Sequence, residues 1–205
     1  MRFFDGEVEP CINGRTVAIG AYLGQDVDGI VERLLGEQMA DGGWNCEQES
    51  GSVRGSFDTT INVLEGLWEH EQRHPDAAVR DARVRGEEYL LDRHLAWRLS
   101  DGRVGRERWL HLAFPHGWRY DVGRALDLLR RTRATPDERM WEALELIAAK
   151  RDDDGRWRLE MRHHDRLPVD LGEDEGAPSR WLTLLALRVL RWADPTSAPP
   201  AGATA

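Results

Sequence analysis

The chain has 205 residues, a formal net charge of −9, and 32% charged and 40% hydrophobic residues, a composition typical of a folded globular protein. The acidic balance speaks against nucleic-acid binding, which requires a concentrated basic face, and no stretch approaches the ~20 apolar residues that span a bilayer. Because the N-terminus has no apolar signal core and the two cysteines, Cys11 and Cys46, suggest no disulfide framework, we expect a cytoplasmic protein without a transmembrane segment.

The first half of the chain predicts two helical hairpins, because apolar residues recur at the three- and four-residue spacing of a buried helix face. Helices are expected over Cys11–Leu23 and approximately Val27–Met39, followed by a glycine turn that ends at Trp44. Ser56 or Asp58 is suited to cap a third helix that runs through Leu67. The partner helix is expected to open at Pro75–Asp76, to carry Val79, Val84 and Tyr89–Leu91 on its apolar face, and to close at Ser100-Asp101-Gly102.

The second half repeats the pattern one and a half times. A helix is expected from near Trp118 through Leu129, with a partner that carries Met140, Leu144 and Ile147. A last helix is expected over Trp181–Trp192. The sequence therefore predicts an all-α fold of about seven helices in one repeat domain over residues 1–194, and a disordered tail over residues 195–205, which is rich in Pro, Ala, Ser and Thr.

The turn Gln38-Met39-Ala40-Asp41-Gly42-Gly43-Trp44 resembles the QW motif of squalene and terpene cyclases, and weaker copies follow at Asp101–Val104 and Asp154–Trp157. The segments 56–67, 118–122 and 178–181 are similar to bacterial prenyltransferase and squalene-cyclase-repeat proteins. The resemblance implies an α/α toroid, in which inner and outer helices alternate around a central cavity.

The inner helices implied by this resemblance begin at Cys11, Asp58, Arg119 and Arg180. A complete toroid of the family has more helices than the seven predicted here. The sequence is therefore compatible with a reduced member of the family, with a homodimer, or with a half that requires a missing toroid half.

The protein prenyltransferases bind zinc through an Asp-x-Cys pair and a histidine at the starts of inner helices. The resemblance implies zinc as a cofactor held by Glu9, Cys11 and Asp58, with Cys46 in the connecting loop and an aspartate where the family has histidine. Zinc accepts thiolate, imidazole and carboxylate ligands. The alternative is a pair of reduced thiols, with Asp58 acting as a helix cap.

Polar residues at the starts of inner helices suggest a cavity mouth for an anionic head group, because helix N-termini and arginines bind phosphates. The candidate catalytic residues are Asp58, Tyr120 and Asp121. The candidate ligand-binding residues, including those that would line the cavity, are Arg119, Arg180, Trp181, Thr59, Trp68 and Tyr22. The alternative is an Arg–Asp network that joins neighbouring repeats.

Two classes of function follow from these patterns. The first is an isoprenoid-binding protein that catalyses prenyl transfer or terpene cyclisation, and the second is a non-catalytic toroid scaffold or binding module. The Asp-x-Asp-Asp acid of the terpene cyclases is absent from the sequence, and Asp152–Asp154 stands before Gly155 as a turn that ends a helix. His116, just before the third inner helix, is the histidine closest to the candidate site.

Overall fold

The computed structural model describes residues 3–163 and 169–194, so the tail predicted over residues 195–205 lies outside the described residues. The all-α expectation is confirmed for the described residues, which form seven α-helices and one small antiparallel sheet. The helices are α1 (Pro10–Tyr22), α2 (Asp28–Gly36), α3 (Phe57–Glu71), α4 (Ala77–Leu91), α5 (Val122–Thr132), α6 (Trp141–Ala149) and α7 (Arg180–Ala193), and the strands are β1 (Trp157–Arg158) and β2 (Pro178–Ser179).

Short polar side chains determine where most of the longer helices begin. The Ser56 hydroxyl caps α3, the Asp76 carboxylate caps α4 and the Ser179 hydroxyl caps α7, each accepting a hydrogen bond from a backbone N–H of the first turn. These side chains satisfy amides that have no partner within the helix. The sequence prediction that Ser56 or Asp58 caps the third helix is therefore resolved in favour of Ser56.

Two predicted helix bounds near the middle of the chain are wrong. The helix that Asp76 opens ends at Leu91, before the predicted close at Ser100-Asp101-Gly102, and the third inner helix begins three residues after the predicted Arg119. Asp121 has an extended backbone, with φ −145° and ψ 164°, and its Oδ1 accepts the N–H of Arg124 at 2.9 Å. It is therefore the cap of α5, which begins at Val122. Arg119 and Tyr120, expected inside the helix, lie in the segment before it.

The chain divides into two units, which are described separately. Unit 1 comprises Met1–Arg93 with Trp118–Tyr120, and unit 2 comprises His94–Gly117 with Asp121–Ala205. The single repeat domain over residues 1–194 stays a prediction, as does the toroidal arrangement of its helices.

Two glycines allow α1 and α3 of unit 1 to touch through their backbones. A Cβ placed on Gly14 would lie 2.5 Å from the carbonyl oxygen of Asn62, and one on Gly66 would lie 2.4 Å from the carbonyl oxygen of Gly14. Both distances are well below any real Cβ contact, so a side chain at either position would force the helices apart. This close approach fixes the beginning of α1 beside the beginning of α3.

The QW-like turn ties α2 to its neighbours. The Trp44 ring is fully buried, and its Nε1 donates to the Leu34 carbonyl at 2.7 Å. The backbone N–H of Trp44 donates to the Thr60 hydroxyl at 3.0 Å. Nε2 of Gln38 donates to the carbonyls of Gly42 and Ala82, both at 2.8 Å. The turn thus links α2, α3 and α4 through buried and part-buried hydrogen bonds.

In unit 2, Trp157 repeats the two hydrogen bonds that Trp44 makes through its indole and backbone N–H groups. Trp157 is fully buried, its Nε1 donates to the Ile147 carbonyl ten residues earlier, and its backbone N–H donates to the Thr183 hydroxyl. The predicted helix end at Asp153-Asp154-Gly155 is wrong, since α6 already ends at Ala149. The turn follows it, with Gly155 at φ 78° and the Arg156 amide donating to Asp152 Oδ1. Two tryptophans with equivalent hydrogen bonds within one chain support the repeat that the sequence indicated.

We expect Trp157→Phe to lower the free energy of unfolding by about 1–3 kcal/mol, because the substitution removes a buried hydrogen bond and leaves part of the indole volume empty. Trp192→Phe is the matched control, since Nε1 of Trp192 makes a longer bond of 3.3 Å to Ala134 near the surface. Urea unfolding of both variants measures the difference. Equal losses of unfolding free energy in the two variants would show that the buried hydrogen bond of Trp157 contributes nothing specific to stability.

Candidate functional site

The start of α1 positions Glu9 and Cys11. Pro10 occupies the first turn, where its missing N–H costs nothing. The approach to the helix is held by Asn13, whose Oδ1 accepts the Glu7 amide at 2.8 Å and whose Nδ2 donates to the Glu7 carbonyl at 2.7 Å. The Cys11 thiol is half-buried, and its Sγ lies 3.6 Å from Glu9 Oε2.

The loop between α2 and α3 positions Cys46, two residues after the buried Trp44. Nδ2 of Asn45 donates to the Arg54 carbonyl at 2.7 Å and to the Ser52 hydroxyl at 2.8 Å, which closes the loop on itself. The Cys46 amide lies 3.4 Å from the Thr59 hydroxyl on the first turn of α3. The loop is therefore anchored on both sides of the cysteine.

The two cysteines, 35 residues apart in sequence, bring their sulfurs to 3.0 Å from each other. Glu9 Oε2, Cys11 Sγ and Cys46 Sγ lie within 4.8 Å of one another, and they are the one such group of potential metal ligands among the described residues. Thr59 Oγ1 donates to Cys46 Sγ at 3.4 Å. Two sulfurs, one carboxylate and one hydroxyl thus meet where α1 and α3 begin.

The close sulfur pair makes the two thiols unequal. Hydrogen bonding from Cys11 outweighs desolvation and, with the Thr59 hydroxyl, lowers the pKa of Cys46 to about 7. The same interaction with Cys46, together with burial, raises the pKa of Cys11. The environment therefore favours the thiolate at Cys46, the form that binds metals and acts as a nucleophile.

The donor set fits a zinc ion. Zinc–sulfur bonds of about 2.3 Å and zinc–oxygen bonds of about 2.0–2.2 Å place the ligand atoms of a tetrahedral site roughly 3.3–3.8 Å apart. The sulfurs, now 3.0 Å apart, would separate by less than ~1 Å to reach that geometry. Glu9 would supply a third ligand, which leaves one coordination position for water or substrate.

Asp58, the third zinc ligand suggested by the sequence, makes a different contact. Its Oδ1 accepts the backbone N–H of Tyr120 at 2.8 Å. The neighbouring Asn62 donates to the carbonyls of Asp58 and Trp118. The Tyr120 ring is buried against Phe57, with ring centroids 5.0 Å apart. The structure thus brings Asp58 and Tyr120 together beside Thr59. The cluster of potential metal ligands contains Cys46 with Glu9 and Cys11, and it does not contain Asp58.

The remaining predicted residues of unit 2 form their own contacts. Asp121 is buried, and its Oδ2 lies 2.9 Å from His116 Nδ1. The Trp181 ring stacks on Phe114, with centroids 5.1 Å apart. Arg180 is exposed and reaches Glu173 Oε1 and the Leu171 carbonyl. The sequence pointed to Asp121, Trp181 and Arg180, but gave no signal for the Phe114 and Glu173 contacts.

Tyr22 and Trp68, two of the residues predicted to line the cavity, lie far from the thiols along their helices. Tyr22 is the last residue of α1, about 16 Å from Cys11 at the helical rise of 1.5 Å per residue, and its side chain is 67% exposed. Trp68 lies ten residues after Asp58 in α3. Arg119, half-buried, lies in the segment before α5. Of the ligand-binding residues predicted in unit 1, Thr59 therefore lies with the cysteines, whereas Tyr22 and Trp68 do not.

A cleft of about 630 Å³ opens at the C-terminal end of α3, the end remote from the cysteines. Its lining mixes apolar surface with charged and titratable side chains, which include Asp28, Glu32, His70, His74 and Asp76. His70 is buried, and its Nε2 lies 3.0 Å from Asp28 Oδ1. This lining differs from the apolar inner-helix cavity that the sequence predicted.

Comparison with protein-family models, with curated proteins and with solved structures finds no match. Among the described helices, none has both the length and the apolar character needed to cross a membrane.

Proposed function

We propose that this chain is a zinc-dependent protein of the prenyltransferase type, in which Cys11, Cys46 and Glu9 hold the metal. The single observation that carries the proposal is the meeting of two cysteine sulfurs and a carboxylate oxygen within 4.8 Å, contributed by the start of α1 and by a loop that is distant in sequence. Thiolate and carboxylate ligands suit zinc.

The internal repeat supports a role for these residues beyond packing. Counting from the tryptophan anchors and the helix caps, Cys46 corresponds to Leu159 of unit 2, and Thr59 corresponds to Leu182. Both leucines are buried core residues. The repeat can therefore be built with apolar side chains at these two positions, whereas unit 1 has a thiol and a hydroxyl that contact each other.

The reaction class follows from the resemblance of the sequence to the prenyltransferases. A bound zinc ion supplies an activated thiolate or water and polarises a substrate oxygen. Asp58 and Thr59 lie in the first turn of α3, where the Tyr120 amide contacts Asp58, and these residues offer polar contacts for a substrate head group. We infer an isoprenoid-like ligand in the cavity of an α/α toroid, with prenyl transfer favoured over cyclisation because the cyclase acid motif is absent from the sequence.

Metal analysis of the purified chain and four variants tests this proposal. We expect one zinc ion per chain, an affinity loss of at least ~100-fold in Cys11→Ala and Cys46→Ala, and a smaller loss in Glu9→Gln, because thiolates are the stronger ligands. Asp58→Asn is the matched control, since Asp58 carries the same charge nearby but contacts the Tyr120 amide instead. It should retain zinc.

Thermal denaturation with farnesyl diphosphate tests the ligand class in the same preparations. A ligand present at 100 times its dissociation constant stabilises the folded state by about 2.7 kcal/mol. We expect this stabilisation in the zinc-loaded chain. A chain that binds neither zinc nor the diphosphate would instead be the non-catalytic scaffold that the sequence left open.

A further inference from the structure

We propose that Cys11 and Cys46 are the two halves of a hydroperoxide-sensitive redox site, which closes to an intramolecular disulfide and thereby releases the metal. The disulfide depends on the sulfur geometry alone. Its effect on the metal rests on the zinc site proposed above.

The placement of the two sulfurs favours this oxidation. At 3.0 Å they need to approach by about 1 Å to reach the ~2.05 Å of a disulfide bond. Both cysteines are half-buried rather than enclosed, so a small oxidant has access to them. The two sulfurs would move slightly apart to hold zinc, and they would move slightly together to form the disulfide bond.

The sequence restricts the outcome of oxidation. Cys11 and Cys46 are the only cysteines among the 205 residues, so a sulfenic acid formed on one has the other as its single intramolecular thiol partner. The helix start at Pro10 and the hydrogen-bonded loop around Asn45 hold that partner in place. A resolving thiol held this close favours disulfide formation over further oxidation.

The chemical step uses a hydroperoxide as the oxidant. The Cys46 thiolate, which accepts a hydrogen bond from Thr59, attacks the terminal peroxide oxygen. The O–O bond breaks, and the leaving alkoxide, or hydroxide when the oxidant is hydrogen peroxide, takes up the proton that Cys46 released on ionising, so that an alcohol or water departs and Cys46 becomes a sulfenic acid. The Cys11 sulfur then attacks the Cys46 sulfur, and the hydroxide leaves as water with the Cys11 proton. The two thiols lose two electrons and two protons in total, and the hydroperoxide is reduced to alcohol and water.

Metal binding and disulfide formation exclude each other at this site. A zinc ion requires the cysteines as thiolates, and the disulfide removes both. Oxidation should therefore release one zinc ion per disulfide formed, and a dithiol reductant should restore both thiols by exchange and allow zinc to bind again.

The test treats the full chain, zinc-loaded and zinc-free, with hydrogen peroxide. Intact mass should fall by two hydrogen atoms, alkylatable thiols should fall from two to none, and a chromogenic chelator should record zinc release in step with disulfide formation. Dithiothreitol should reverse all three changes. Cys11→Ser should instead stop at a sulfenic acid that dimedone traps, because the resolving thiol is missing.

The matched control is Thr59→Val, which keeps both thiols and removes the hydroxyl that donates to Cys46. It should still form the disulfide, but at least several-fold more slowly. Two thiols that survive peroxide in the zinc-free chain, or disulfides that form only between chains, would overturn the redox proposal. A disulfide that forms in a chain unable to bind zinc would support the redox proposal and would overturn the metal site.

Discussion

Gly66→Ala is expected to destabilise the protein by roughly 2–3 kcal/mol, although alanine is the better helix former. The reason is the contact between helix backbones in unit 1. A Cβ on Gly66 would lie 2.4 Å from the carbonyl oxygen of Gly14, and a backbone atom cannot rotate away as a side chain can. Because α1 and α3 also present Cys11 and Thr59, the variant should weaken zinc binding together with stability.

Gly29→Ala is the control for this prediction. Gly29 lies in α2 with nothing within 4 Å of its added Cβ, so the substitution should stabilise the protein by a few tenths of a kcal/mol through helix propensity. Urea unfolding at equal protein concentration measures both variants. The two changes should have opposite signs, and a Gly66→Ala protein as stable as the wild type would show that the two helices do not touch as described.

Arg83→Met is expected to destabilise the protein by about 3–5 kcal/mol, because it leaves two buried carboxylates without their common partner. Arg83 Nε donates to Glu71 Oε2 at 2.8 Å, and its Nη1 donates to Glu87. All three side chains are at most 8% exposed. Arg33→Met is the surface control, since its ion pair with Glu37 is more exposed and should contribute less than ~1 kcal/mol.

The same network predicts a pH dependence. Burial opposes ionisation of Glu71, but hydrogen bonds from Arg83 and Arg80 outweigh this effect and hold the pKa of Glu71 below its usual value. A carboxylate with a lowered folded-state pKa stabilises the protein above its unfolded pKa, and the stabilisation is lost as pH falls through the folded value. As the pH falls below the unfolded-state pKa of glutamate, about 4.3, Arg83→Met should therefore lose less stability than the wild type, and a parallel loss would contradict the assignment.

The helices could be predicted from the sequence because their signals are local. Apolar spacing, the caps at Ser56 and Asp76 and the glycine turns lie within a few residues of the structure they determine. The start of α5 was misplaced because the apolar Trp118 suggested a helix, whereas the capping carboxylate of Asp121 determines its beginning. Trp118 is 52% exposed, so it does not belong to the buried face of a helix. The cap at Asp121 is the better indicator of where this helix begins.

The candidate site could be predicted only in part, because its assembly is not local. Glu9 and Cys11 are adjacent on one helix start, which a motif can reveal. Cys46 joins them through the path of a loop, and the hydrogen bonds of Asn45 and Thr59 that determine this path connect residues 7 to 13 positions apart. The sequence predicts Asp58 as a ligand from its position at a helix start, whereas its carboxylate accepts the Tyr120 amide, 62 residues away in sequence.

X-ray absorption at the zinc edge of the zinc-loaded chain tests the proposed metal site most directly, because the edge spectrum counts sulfur neighbours without reference to activity. We expect two sulfur ligands at about 2.3 Å and oxygen ligands at about 2.0–2.2 Å, and one sulfur fewer in Cys46→Ser. A zinc ion with one sulfur neighbour in the wild-type chain, unchanged in Cys46→Ser, would contradict the site built from Cys11, Cys46 and Glu9.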